Sequence, residues 1–394
     1  SLTFRPEEGF ATPSGQVPFW ENAPAIYGRS VEPDTGLAGF GVEGEMVFKK
    51  ELNAFVAEQV PVVPYPDQGG FMPYPLFHIQ ASDPDTGKVL AETAMAAGVS
   101  TELGCRSCHG GEWRVAGKAG ISEATAMDIL ETHDKNEKTD LADRASKGSP
   151  VRCQECHTNS TQTKEGEPGD TPNDSGGMLN FSAAIHGFHA NYMTGRRGDA
   201  CLECHPSSAT GKTGALRDIH AGLGFDCTDC HGTMEDHSLA LLKNEKEAGK
   251  STGHLMKHLS PVQARNVDEI NPRAPRVQQP DCLNCHQDFG PPDMGSLYGF
   301  NRWTEEENGL FRMRHENLGE VMCQACHGTT HAVYPADNMF GKNRDNIPAV
   351  QHQKTALPIG ANRNCSVCHT MEMDYEIHHE NMTTPFRNDW ILEE

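Results

Sequence analysis

Seven copies of the five-residue pattern Cys-x-x-Cys-His account for every cysteine in this chain of 394 residues. They are Cys105/Cys108/His109, Cys153/Cys156/His157, Cys201/Cys204/His205, Cys227/Cys230/His231, Cys282/Cys285/His286, Cys323/Cys326/His327 and Cys365/Cys368/His369. With 14 cysteines and 20 histidines placed at random, about 0.03 such matches are expected, and the pattern is that of c-type haem attachment. Two thioethers join the cysteine sulfurs to one edge of the porphyrin. Two intervening residues let both sulfurs reach that edge from one short turn, and the adjacent histidine supplies the proximal nitrogen to the iron. Four-cysteine zinc sites would leave one of the seven pairs unmatched and give no reason for the histidine. Disulfides of the thioredoxin type occur once in a βαβ setting, not seven times in a Gly-rich chain. The expectation is therefore seven covalently bound haem c groups.

Composition fits that expectation. Hydrophobic residues make up only 36% of the chain, a thin core for its length, and seven apolar macrocycles would serve as hydrophobic centres in its place. The 55 acidic and 33 basic side chains give a formal charge of −22, which argues against a nucleic-acid partner because phosphates attract a surplus of Lys and Arg. Haem propionates would add to the negative charge. The first residues, SLTFRPEEGF, have neither the basic start nor the apolar run of a signal peptide and read as a mature chain already cleaved. No stretch has the apolar length needed to span a bilayer, so no transmembrane segment is expected.

Two regions are expected. Residues 1–98 carry no cysteine and one histidine, His78. Short β-prone runs at Glu45 to Phe48, Gln59 to Val63 and Leu76 to Gln80 are separated by Pro, Gly and Asp-rich turns. This reads as a small β-rich, haem-free module. The acidic turn Asp83/Asp85/Gly87 reads as a hairpin, since an EF-hand loop would need Gly where Lys88 stands. Residues 99–394 read as a loop-rich, mostly irregular and α-helical multihaem cytochrome c region wrapped around seven haems. The intervals between first cysteines are 48, 48, 26, 55, 41 and 42 residues, too irregular for a strict repeat. The shortest, from Cys201 to Cys227, is expected to hold two haems closest in space. Ser122 can cap a helix that sets Ala126, Ile129, Leu130 and His133 on one face. A second helix within Leu179 to Met193 sets Ile185, His186 and His189 on one side.

Each iron needs a sixth ligand, and its identity separates an electron carrier from an enzyme. Thirteen histidines remain outside the motifs. His133 lies on the apolar face of its expected helix, where an unliganded imidazole would be desolvated at a cost. His186 and His189 could serve two haems from one helix. His220, His315 and His352 stand 7, 8 and 13 residues before the next motif, and His331 four residues after His327.

The segments VPVVPYPDQGGFMPYPLF, VSTELGCRSCHGG, ILETHD, LNFSAAIHGFHA, DIHAGLGFDCTDCHG and RHENLGEVMCQACHGTTHAVYP resemble the large multihaem c-type cytochromes of metal-reducing and related anaerobic bacteria, secreted for extracellular electron transfer. The resemblance covers about Pro61 to His369. It implies that His133, His186, His189, His220, His315, His331 and His352 are the distal iron ligands, one for each haem. The stretch VQHQKTALPIGANRNC around His352 is the loosest match. His78, His237, His254, His258, His378 and His379 have no counterpart and are left as spares. His254 and His258 lack the glutamate of a metalloprotease helix and read as a solvated face, whereas His378 and His379 could reach an adjacent copy. The resemblance also implies a periplasmic, cell-surface or extracellular destination.

The leading reading is a heptahaem electron carrier, not an enzyme, passing electrons through closely spaced bis-histidine haems between redox partner proteins and extracellular metal or mineral acceptors. An elaboration joins copies end to end in a cytochrome filament, a homopolymeric nanowire. The alternative is a multihaem oxidoreductase of the nitrite, hydroxylamine or tetrathionate type with one open haem site. Some nitrite reductases mark that haem with Lys in place of the motif histidine, and all seven motifs here keep His.

Overall fold

The computed structural model describes residues 1–7, parts of 32–62, 75–96, 105–110, 123–157, 177–205 except 196–197, 223–275, 278–287 and 299–304, with a few further positions that include His220 and Cys323. The described strands all fall between Leu2 and Ala96: β1 (Leu2–Pro6), β2 (Gly44–Glu45), β3 (Val47–Lys49), β4 (Ala54–Val56), β5 (Leu76–Ser82) and β6 (Val89–Ala96). An antiparallel sheet of order β2-β1-β5-β6 has β1 at its centre, with Phe4 opposite Ile79, and β3 pairs with β4 separately. The β5–β6 connection is a hairpin that closes on its own backbone. The Asp83 carboxylate accepts from the Asp85 N–H at 3.0 Å and from the Thr86 N–H and hydroxyl at 2.8 and 2.9 Å, an Asx turn followed by the left-handed Gly87 at φ 69°.

One strand expectation fails. Within Gln59 to Val63, the described residues Val60 to Val62 form no strand. Val60 and Val62 instead pack with Phe4 against the buried Val42 and Phe77, so their apolar character serves packing and not a ladder.

Helices follow from Cys105 onward: α1 (Cys105–Cys108), α2 (Glu123–Glu137), α3 (Leu141–Ser146), α4 (Phe181–Ala190), α5 (Gly198–Leu202), α6 (Cys227–His231), α7 (Met234–Glu247) and α8 (Gly253–Met256). Ser122 lies outside the described residues. On α2 the most buried side chain is Thr125, while Ala126, Ile129 and Leu130 are half-buried. The principal core joins α4 to α7 through Ala183, Ala190, Leu239, Ala240 and Leu242, with Leu255, Ile270, Phe300 and Trp303 around them. A Cβ added at Gly187 would stand 3.1 Å from both Leu242 methyls, so a side chain here would crowd the close approach of α4 to α7. Ile185, on the side of the helix that carries His189, is exposed.

The helix pair is tied by a buried charged network. Glu245 on α7 receives the Asn180 N–H and side-chain amide, both at 2.7 Å, and pairs with Lys250 at 2.9 Å. Asn180 in turn caps α4 by accepting from the Ala183 N–H at 2.8 Å. Among the described residues no helix is long and apolar enough to cross a membrane.

Candidate haem-binding centres

Each of the five described motifs is a single helical turn. In the first, second, third and fifth, the histidine N–H donates to the carbonyl of the first cysteine, at 2.8, 2.8, 2.9 and 2.9 Å, and the fourth is α6 itself. Residues three apart on such a turn share a face, which sets both sulfurs toward one edge. Local chemistry makes the turns. Asp226 caps α6 by accepting from the Thr228 N–H at 2.7 Å, and Asp281 accepts from the Leu283 N–H at 2.9 Å. The fourth motif ends at Gly232, left-handed at φ 82°, where a Cβ would meet the Phe300 ring at 2.5 Å.

Eleven cysteines are described, Cys105, Cys108, Cys153, Cys156, Cys201, Cys204, Cys227, Cys230, Cys282, Cys285 and Cys323, and none of them is in a disulfide. The second cysteines are placed to react. Cys108, Cys156 and Cys204 are exposed, and Cys230 and Cys285 are half-buried. Cys156 and Cys285 each donate their N–H to the carbonyl of the first cysteine of their motif at 3.2 Å, which tightens the turn around the two sulfurs. Burial raises the Cys105 thiol to about 11.

The motifs also meet one another. Cys201 and Cys227 share a hydrogen bond that lowers Cys227 to about 7 and raises Cys201. A second such bond joins Cys282 to Cys323, with Cys230 close enough to act on Cys282 electrostatically, as Cys204 acts on Cys105. The motifs separated by the shortest interval are therefore in contact.

The histidines are arranged in facing pairs. An imidazole nitrogen bonds a transition metal at about 2.0–2.1 Å with its ring centre about 1.1 Å behind, so two rings on opposite sides of one metal have centres about 6.2–6.4 Å apart. Ring centres are 6.2 Å apart for His133 and His157, 6.0 Å for His186 and His205, 6.2 Å for His220 and His286, and 6.0 Å for His231 and His237. Each pair joins a motif histidine to one outside the motifs. Among the described residues no group of three or more His, Cys, Asp and Glu side chains could by itself hold a metal ion. A porphyrin requires no such group, because it brings four nitrogens and asks the chain for two axial ligands and two sulfurs. On donor chemistry and spacing, the first three pairs fit haem; His231 and His237 do not, because both Nδ1 atoms lie within 3.5 Å of one Arg273 nitrogen, closer together than two rings bound through Nε2 on opposite sides of one metal can be.

Hydrogen bonds at the far side of the rings set their orientation. His109 Nδ1 lies 2.9 Å from the Asp128 carboxylate on α2, and His157 Nδ1 lies 2.8 Å from the Leu179 carbonyl. Within α4, His186 Nδ1 is 2.8 Å from the Ser182 carbonyl and His189 Nδ1 is 2.8 Å from that of Ile185. These oxygens only accept, so each Nδ1 carries the hydrogen and each Nε2 keeps its lone pair for a metal. His133 Nδ1 is 2.9 Å from the Thr139 hydroxyl, whose own hydrogen goes to Asp134, which gives the same tautomer. Desolvation lowers His133, brings His186 to about 4 and takes His237 well below its ordinary value. A neutral imidazole is the metal-binding form.

The three further distal candidates His315, His331 and His352 lie outside the described residues, as do His327, Cys326, Cys365, Cys368, His369, His378 and His379. Among the described residues no imidazole faces His109 or His189 at the separation of the four pairs. Of the spares, His78 is 3.9 Å from Glu7, His254 is 3.4 Å from Glu137, and His258 is exposed. His237 is different. It is buried on α7, 6.0 Å from His231 and 4.7 Å from His186. The sequence left it as a spare, although a histidine six residues after a motif histidine in CHGTMEDH, on the first turn of a helix capped by Thr233, has a spacing of the same kind as His331.

Comparison of the chain with protein-family models, curated proteins and solved structures found no match.

Proposed function

We propose that this protein is a heptahaem c-type cytochrome that conducts electrons through bis-histidine centres. The observation that carries the reading is the set of three motif histidines, each beside a non-motif histidine at 6.0–6.2 Å between ring centres. Bound haem supplies an iron that accepts and releases one electron. The chain does the rest. Motif turns fix the sulfurs, Asp128, Leu179 and Thr139 hold the imidazoles in the metal-binding tautomer, and the α4–α7 pair holds His186 in place beside His205. Contacts between the sulfurs of different motifs favour closely spaced centres. Haem attachment of this kind belongs to an exported protein, and the acidic chain favours cationic or metal-bearing partners.

Intact mass of the protein as isolated tests the reading. It should exceed the polypeptide's 43.1 kDa by seven additions of about 0.6 kDa that survive denaturation. A mass without those additions overturns it. Electron paramagnetic resonance should find every iron low-spin. A high-spin fraction near one in seven, with exogenous ligand binding to the reduced protein, would favour the oxidoreductase instead.

A further inference from the structure

Helix α2 reaches two motifs at once. Its Asp128 carboxylate lies 2.9 Å from His109 Nδ1 in the first motif, and the same oxygen accepts the Gly110 N–H at 3.0 Å. Five residues on, His133 stands 6.2 Å from His157 of the second motif. Backbone packing sets the approach. Gly110 is left-handed at φ 82°, and a Cβ there would lie 2.8 Å from the Thr125 nitrogen, so the motif turn rests directly on the first turn of α2, where Thr125 is buried. An ionised carboxylate only accepts, so His109 Nδ1 carries the hydrogen and Nε2 keeps its lone pair. The same turn, closed by the His109 N–H on the Cys105 carbonyl at 2.8 Å, presents Cys105 and Cys108. Two sulfurs and a free imidazole nitrogen are the donors that haem asks of a motif.

We propose that Asp128 lowers the reduction potential of the haem attached at Cys105 and Cys108, so that an electron there is released more readily to its neighbours. The inference rests on the haem reading above and makes Asp128 a positioning residue that acts through His109. Two effects have the same sign. An anionic acceptor draws the Nδ1 hydrogen more strongly than a neutral carbonyl such as that of Leu179 against His157, which makes the imidazole a more basic ligand and stabilises ferric iron. The charge also acts directly: oxidation adds a positive charge at the iron, and an anion one ring away favours that addition. Solvent weakens this second effect, because the Asp128 side chain is 43% exposed. The first effect persists, because the Gly110 bond keeps the carboxylate against a ring that is itself only 19% exposed.

The test is a potentiometric titration of the holoprotein, resolved into its one-electron steps, for the parent, D128N, D128A and D128E, and for C105S/C108S with and without D128N. Intact mass first counts the haems in each chain. Absence of haem from the parent defeats the underlying reading, whereas seven haems with unmoved or lowered potentials in D128N and D128A defeats only this inference. In both variants one step should rise by about threefold to tenfold in its reduction equilibrium, about 28–59 mV for a one-electron couple, while six stay in place. Loosening of the site would instead admit water, which stabilises the ferric charge and lowers the step, so the sign separates tuning from damage. D128E, which keeps the charge, should hold that step nearer its parent position than D128A does, and an equal rise in both overturns the role of the carboxylate. The C105S/C108S chain should carry six haems, and adding D128N to it should move none of the six steps. A step that moves there places Asp128 at another haem and overturns the assignment. Loss of one haem from both D128N and D128A would show that Asp128 holds His109 for attachment instead, which also overturns the proposal.

Discussion

The amino-terminal sheet and the α4–α7 helix pair bury their backbone by different means. In the sheet the ladders carry the structure. Among the described residues only Val42 and Phe77 are buried beneath it, and on β3 and β4 the side chains of Val47, Phe48 and Phe55 stand 63%, 50% and 49% exposed. In the helix pair each backbone satisfies itself, so the relative placement of the helices must come from side chains: a core of fourteen buried residues and the Asn180–Glu245–Lys250 network. The difference matters for the imidazoles. A ladder fixes its partners to within a residue whatever the side chains are, but two helices can slide, and His186 and His237 keep their 4.7 Å contact only if α4 and α7 are locked.

Replacement of Glu245 by alanine is the strongest way to break the contrast. It strips Lys250 of its buried partner and Asn180 of two acceptor contacts, and removing one member of a buried pair costs about 3–5 kcal/mol. The helical circular dichroism transition should move to lower denaturant by that amount, while hydrogen exchange in β1 and β5 stays unchanged. Equal loss of protection in the sheet would show that the two regions unfold as one. The converse substitution, Phe77→Ala, removes the largest side chain beneath the sheet and should cost about 3 kcal/mol, read as faster exchange of β5 amides with the α4–α7 signal intact.

Asp83 gives the smallest effect and sharpens the comparison by pH. Hydrogen bonds from the Thr86 backbone, its hydroxyl and the Asp85 backbone hold this carboxyl below its ordinary value. A lowered folded value means that its contribution is complete above the unfolded value of about 3.9 and is lost as pH falls through the folded one. Exchange at the β5–β6 turn should therefore accelerate at acid pH in the parent. An Asp83→Ala chain should show fast exchange at every pH, without change in α4 or α7.

Legibility in the sequence follows the range of the interactions. The motif turns are readable because each is closed within five residues and capped by a neighbour, as at Asp226 and Asp281. The Asp83 hairpin is readable for the same reason. Val60 and Val62 misled because an apolar run is equally suited to a strand or to packing, and the choice depended on Phe4 and Phe77, far away in the chain. The packed side of α4 was not legible, because it is set by Gly187 against Leu242, which periodicity alone does not reveal. His237 was overlooked because its partner became visible only once α6 and α7 were folded against each other.

The sequence by itself determined how many Cys-x-x-Cys-His motifs the chain carries, which cysteines and which histidine belong to each, and the acidic character of the polypeptide. Those properties reside in residue type and in spacings shorter than one helical turn. Only the tertiary structure decided which second imidazole lies beside His157, His205 and His286, and that Arg273 stands between His231 and His237. The physical reason is that such neighbours are set by distance in space. The residues that meet there, such as His220 with His286 or Arg273 with His231, are brought together by helix packing and capping that no local pattern encodes.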